Sequence, residues 1–184
     1  VTKGNLYIVH ISTGEGAELL KIAQDKGIKV QGETCPQYLM LTNEVFKRKD
    51  GHLFATCPQV KGKSDNDRLW KALIDGEIKV VSTDDCTFNS KQKSQWNGDF
   101  TKVPYGMPGT ETMFPTIFTH GYMDKKFSIN KAVELCSTNP AKLMGLYPEK
   151  GTIQIGTDAD LIIVDPNYSK IIDHNELSTN CDWS

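Results

Sequence analysis

Leu6-Tyr7-Ile8-Val9, the stretch from Thr13 to Lys26, and Ile28-Lys29-Val30-Gln31-Gly32-Glu33 follow one another with only short links. The first is a short apolar run of the kind a buried parallel strand shows. In the second, Leu19, Leu20, Ile22 and Ala23 are spaced for one helix face, and Gly27 stands where a helix C-terminal cap belongs. The third reads as another strand, running into Thr34-Cys35-Pro36-Gln37-Tyr38. The unit recurs downstream. A helix from Asp65 to Asp75, with Leu69, Trp70, Leu73 and Ile74 on its inner face, feeds the apolar strand Ile78-Lys79-Val80-Val81. Repetition of strand and helix predicts the α/β class with a parallel sheet or barrel.

Between and beyond these units the pattern varies. His52-Leu53-Phe54-Ala55-Thr56 is expected to be extended. Thr87 to Gly109 has neither helical nor strand periodicity, and loops of that length in compact domains are usually functional or disordered. Helices are expected again at Glu111 to His120, at Ile129 to Ser137, and from Pro140, where proline suits the first turn. From Gly151 the class changes. Gly151 to Gly156 and Asp160 to Asp165 read as two strands around a glycine-containing turn, so the chain divides into residues 1–150 and a small β element, 151–184.

Composition narrows the function. Of 184 residues, 38% are hydrophobic and 24% charged, which places the chain among globular rather than disordered sequences. The 21 Lys and Arg against 23 Asp and Glu leave a formal charge of -2, with no basic stripe for a nucleic acid partner. No apolar run approaches the roughly 18 residues of a membrane-spanning helix, and Val1 to Asn5 lack the order of a signal peptide. The five cysteines at 35, 57, 86, 136 and 181 form no Cys-x-x-Cys pair. Wide, irregular spacing points to buried small hydrophobes in a reducing, cytoplasmic compartment rather than to a disulfide framework.

Two residues stand where chemistry is expected. His10 closes the Leu6–Val9 strand and Asp84 closes the Ile78–Val81 strand. In a βα barrel the C-terminal strand ends face the active site, and a histidine with an aspartate fits a hydrolytic zinc site. The competing reading of His10 is a strand-end histidine hydrogen-bonded to a neighbouring loop. Asp84 and Asp85 face apart by the two-residue period, so at most one points inward. His52, His120 and His174 sit in loop or helix-edge contexts and are expected to be solvated.

Taken whole, Tyr7-Ile8-Val9-His10-Ile11-Ser12, the segment Gly32 to Leu39, and Ser82-Thr83-Asp84-Asp85-Cys86 resemble successive strand ends of the dihydropyrimidinase/hydantoinase group of cyclic amidohydrolases. Pro108 to Thr112 resembles that group's loop after the last barrel strand. Ser137 to Lys142 and Gly151 to Leu161 resemble its C-terminal signature. The resemblance implies the C-terminal part of a metal-dependent (β/α)₈ TIM barrel, with residues 151–184 belonging to a small β-sandwich. It implies two divalent metals, zinc as the usual ion, bridged by a carboxylated lysine and a hydroxide. By the same resemblance His10 is the last histidine ligand, and Asp84 is a metal ligand that also accepts the hydroxide proton. The substrate is implied to be a small cyclic amide, a hydantoin or dihydropyrimidine, and the assembly a homotetramer.

Three positions depart from the family pattern. Cys57 stands where serine usually binds the ring amide, Tyr105 where many members have asparagine, and Asp85 where a histidine often follows the aspartate ligand. Cys57 and Tyr105 are therefore the implied substrate-binding positions, and ring specificity is where a difference is expected. No two of the four histidines are one residue apart, so the family's His-x-His pair has no counterpart here, and neither has the bridging lysine. A whole barrel takes about 250 residues. The expectation is a segment of a larger enzyme, starting mid-barrel and inactive alone. Allantoinase or dihydroorotase share the metal scaffold and are the alternative enzymes. The alternative of another class is a non-catalytic, dihydropyrimidinase-related scaffold protein.

Overall fold

The computed structural model describes residues 3–183. Three strands, β1 (Leu6–Ile8), β2 (Val30–Thr34) and β3 (Val80–Val81), form a parallel sheet in the order β1-β2-β3. Leu6 pairs with Val30 and Ile8 with Gly32, whereas Glu33 and Thr34 pair with Val80 and Val81. β2 therefore gives its first half to one neighbour and its second half to the other, so the strands are staggered. All three run the same way and end on one side of the sheet.

Helix α1 (Gly14–Asp25) crosses from β1 to β2. It starts where the sequence places its cap: the Thr13 hydroxyl accepts from the Gly16 amide at 2.9 Å. It stops at Gly27, whose φ of 72° is the left-handed conformation expected just past a helix end. Ala17 and Leu20 are buried beneath it. Gly32 of β2 is what lets α1 sit down, because a Cβ there would lie 2.6 Å from Ile11 Cδ1 and 3.0 Å from Leu20 Cδ2. The short helix α2 (Pro36–Met40) follows β2, and α3 (Lys63–Asp75) packs on both α1 and α2. Asp65 joins the two crossover helices: one carboxylate oxygen accepts from Gly14 N at 2.9 Å and the other from Gly62 N at 3.2 Å. The main core lies between sheet and helices and includes Leu20, Tyr38, Leu69, Leu73, Ile78 and Ile117.

Several expectations are corrected. Leu19, Ile22 and Ile74 are exposed rather than on inner faces, and β1 is an open edge whose Leu6 is 55% exposed. Among the described residues β1 has a single neighbour, so an apolar run that reads as a buried strand lies at the rim. Residues Gly51–Phe54 form a 3-10 turn instead of a strand, with Leu53 N bonding to Asp50 O and Ala55 N to His52 O. The long polar segment contains helix α4 (Ser90–Lys93) and two 3-10 turns. Its signal was present in the sequence: Asn89 and Gln92 cap each other reciprocally, side chain to amide, at 2.8 and 2.9 Å.

Helix α5 (Thr110–Ile117) continues as a π-helix through Phe118–Met123. Helices α6 (Ile129–Val133) and α7 (Asn139–Leu143) are joined by a second π-helical stretch. The two strands expected after Gly151 do not form. Residues 153–172 pair with no ladder, and Ile155 and Ile163 are fully exposed. An extended segment becomes a strand only against a partner, and no described segment forms a ladder with this one. No helix of the described residues is long and apolar enough to cross a membrane.

Open edges and exposed apolar side chains favour association. With Leu6, Ile8, Leu19, Ile22 and Ile163 exposed, the 184-residue chain is expected to self-associate. Sedimentation velocity over a micromolar series checks this; a monomer at every concentration would count against it.

Candidate active site

The parallel sheet brings the exits of β1, β2 and β3 to one edge, and both expected ligands are there. His10 follows β1 by two residues and Asp84 follows β3 by three. Their backbones share a property the sequence did not disclose: φ is 43° at His10 and 49° at Asp84. Left-handed backbone costs a residue with a Cβ roughly 1–2 kcal/mol, and such strain clusters at functional positions.

Hydrogen bonds from β2 and α2 flank both turns. Beside His10, the Ile11 amide donates to Glu33 O at 2.8 Å and the buried Thr34 hydroxyl donates to Ile11 O at 2.7 Å. Ahead of Asp84, the Ser82 amide donates to Thr34 O at 3.0 Å, and Gln37 Nε2 donates to Thr83 O at 3.3 Å. Thr34 is thus the bracket between the two turns, one side through its hydroxyl and the other through its carbonyl. Sequence reasoning passed over it, although a threonine wholly buried at a strand end has to place its hydroxyl somewhere. Replacing Thr34 with valine keeps the shape and leaves Ile11 O without that donor. The expected result is a loss of about 1 kcal/mol of stability, measured by denaturant unfolding.

The Asp85 carboxylate is turned to the N-terminus of α5. One oxygen accepts from Gly109 N (2.8 Å), Thr110 N (2.9 Å) and Thr110 Oγ1 (2.9 Å), and the other from Thr87 Oγ1 (2.8 Å). Partial burial pushes its carboxyl up, but the bonds from Gly109, Thr110 and Thr87 together outweigh this and hold it below the ordinary carboxylate range. The residue in place of the family's usual histidine is therefore a helix anchor.

The two expected substrate positions lie on loops pinned to each other. The Gly106 amide, next to Tyr105, donates to Ala55 O at 2.9 Å, two residues before Cys57. Gly106 also packs against the residue after Asp85. With φ at 140°, a Cβ there would lie 2.3 Å from Cys86 Cβ. The Cys86 amide donates to Met107 O at 3.1 Å, which ties the Tyr105 loop to the β3 exit. Cys57 is exposed, and its loop is held by Pro58 O, which accepts from Tyr38 Oη at 2.9 Å and Thr56 Oγ1 at 2.7 Å. The Tyr105 hydroxyl is turned back on its own loop and donates to Phe100 O at 2.8 Å.

Neighbouring groups are kept protonated. Burial pushes the Cys35 thiol and the Tyr38 phenol well up, and the Asp84 charge adds to both, so neither serves as a nucleophile near neutrality. The remaining histidines stand apart. His52 stacks on Trp96, His120 lies beside Asp124 and His174 beside Asp173. A cavity of about 920 Å³ lies between the start of α5 and residues 172–183, and none of His10, Cys57, Asp84 and Tyr105 lines it.

Among the described residues, no three His, Cys, Asp or Glu side chains converge as a metal centre would require. His10 and Asp84 offer one nitrogen and one carboxylate donor at the ends of β1 and β3, on either side of β2. Catalytic zinc takes three protein ligands, so the pair fits as part of a ligand set and not as a whole one.

Comparison with known proteins identifies the family. The chain is 42% identical over 180 residues to the D-phenylhydantoinase of Escherichia coli O1:K1, covering 97% of this chain and 39% of that protein. The crystallised dihydropyrimidinase of Brevibacillus agri superposes with a TM-score of 0.96 at 38% identity, over 98% of this chain and 40% of the other. The L-hydantoinase of Arthrobacter aurescens gives a TM-score of 0.85 at 35% identity, over 92% of this chain and 37% of the other. The chain thus spans about two-fifths of the length of each relative. The sequence pattern of the amidohydrolase family itself matches residues 8–183, the strand exits that carry His10 and Asp84 included, and the chain belongs to that family.

Proposed function

We propose that this chain is the C-terminal part of a cyclic-amide hydrolase that opens hydantoin or dihydropyrimidine rings. Residues 1–150 would supply barrel units of a (β/α)₈ enzyme and residues 151–184 part of its β-sandwich. The single observation that carries the reading is the pair of left-handed turns presenting His10 and Asp84 at the exits of β1 and β3, the two strands that flank β2 in one parallel sheet. The staggered pairing of β2 supports a barrel, where tilted strands require shear. The similarity to D-phenylhydantoinase supports the substrate class.

His10 and Asp84 would hold divalent metal, with zinc the expected ion, together with ligands outside this chain. Bound there, such ions make water ionise near neutrality and polarise a carbonyl. The chain's own contribution is orientation and proton transfer. As water oxygen bonds to the ring carbonyl carbon, an Asp84 carboxylate oxygen takes the released proton. It then delivers that proton to the ring nitrogen as the C–N bond breaks. His10 contributes no proton; it fixes a metal. Cys57 and Tyr105 would border the ring amide, with backbone groups of the Cys57 loop serving where the family commonly has serine. The intact enzyme is read as a cytoplasmic homotetramer, on the family resemblance and the cysteine pattern.

The experiment is a ring-opening assay on the longer protein that contains this segment, loaded with zinc. Turnover of hydantoin or dihydrouracil, abolished by chelation, is the expected result. Turnover of allantoin or dihydroorotate alone would reassign the substrate, and no turnover of any cyclic amide would overturn the reading in favour of a scaffold. The 184-residue chain alone is expected to open no ring, because it brings too few ligands to hold the metals. Zinc-dependent turnover by the purified chain, lost in Asp84→Ala, would refute that.

A further inference from the structure

Lys93 of α4 has no solvent exposure, a rare place for lysine. Its Nζ donates to Ala55 O at 2.8 Å and lies 5.9 Å from the ring centroids of both Phe88 and Trp183. The Trp183 indole closes this roof by donating to Phe88 O at 2.9 Å. Burial pulls the ammonium down to about 8, with Cys86 and Cys181 acting weakly the other way. Replacing a buried charge by an apolar group of similar size is often neutral or stabilising, so stability alone does not explain a lysine here.

Its acceptor does. The Ala55 carbonyl has two lone pairs and both are used, one by Lys93 Nζ and one by the Gly106 amide at 2.9 Å. Ala55 leads into Cys57, and Gly106 follows Tyr105. One carbonyl therefore joins the two segments read above as flanking the cyclic amide, and the lysine holds that carbonyl from behind.

We propose that Lys93 is a positioning residue: through the Ala55 carbonyl it sets the spacing between the Cys57 and Tyr105 segments, and so the affinity for the ring. The proposal rests on the cyclic-amide reading for its consequence, though not for its geometry. Charge-assisted hydrogen bonds are the stronger kind, which makes an ammonium a better clamp than a neutral donor.

Two measurements on Lys93→Met test it. In the 184-residue chain, hydrogen exchange at the Gly106 amide should speed up by about tenfold, the equivalent of one lost hydrogen bond. The Gly109 and Thr110 amides, held by Asp85, should be unchanged. In the longer, metal-loaded enzyme, KM should rise by about tenfold with kcat nearly constant, and Lys93→Gln, which restores an N–H donor, should recover part of it. Unchanged exchange at Gly106, or equal acceleration at all three amides, would overturn the proposal. So would a fall in kcat with KM unmoved. If the longer protein opens no cyclic amide, the functional reading fails, and exchange at Gly106 still decides the role of Lys93.

Discussion

Asp84→Asn in the longer enzyme is expected to lower kcat for ring opening by at least about two orders of magnitude, the range general acid–base help supplies. Asparagine keeps the size and one ligating oxygen but has no charge to take the proton. The left-handed turn at Asp84 should survive, since asparagine tolerates that conformation better than most residues. Metal content should therefore stay near normal while turnover collapses. His10→Ala should behave in the opposite order: metal is lost first, and excess zinc restores part of the rate. Metal analysis beside steady-state kinetics separates the two cases. Near-normal kcat in Asp84→Asn with full metal would remove Asp84 from the proton path.

The second large effect is structural and can be measured on the chain itself. Asp85→Ala takes away the acceptor of two amides and a hydroxyl at the start of α5, and a negative charge from the positive end of that helix. Loss of a helix cap and its charge together is worth about 2 kcal/mol. Denaturant unfolding should show that loss, and the Gly109 and Thr110 amides should exchange faster. The pH dependence has a definite sign. The Asp85 carboxyl is held below its ordinary value of 3.8 in the folded chain. Its stabilisation is therefore complete above about pH 4 and disappears as pH falls through the folded value. Asp85→Asn should be less stable than the parent at pH 6, and the difference should shrink as pH is lowered below about 4; a difference that does not shrink would show that the carboxylate charge is not what anchors α5.

The sequence by itself determined the βα alternation, because helix and strand periods differ and because Thr13 and Gly27 mark the ends of α1 in local chemistry. It also determined that His10 and Asp84 close their strands, since a residue's place after a strand is a matter of counting. Tertiary structure alone decided what those positions mean. The segments beside both left-handed turns are hydrogen-bonded to Thr34, which lies 24 residues from His10 and 50 from Asp84 in the chain, and no local pattern records such a bond. Asp84 and Asp85 are chemically identical, and only the approach of Gly109 and Thr110 assigns one to the helix. Lys93 reads as an ordinary charge on a polar loop until Phe88, Trp183 and Ala55 enclose it. Gly151 to Gly156 and Asp160 to Asp165 show the opposite case: they read as strands, yet a strand is completed by backbone pairing with another segment, and no such ladder forms among the described residues.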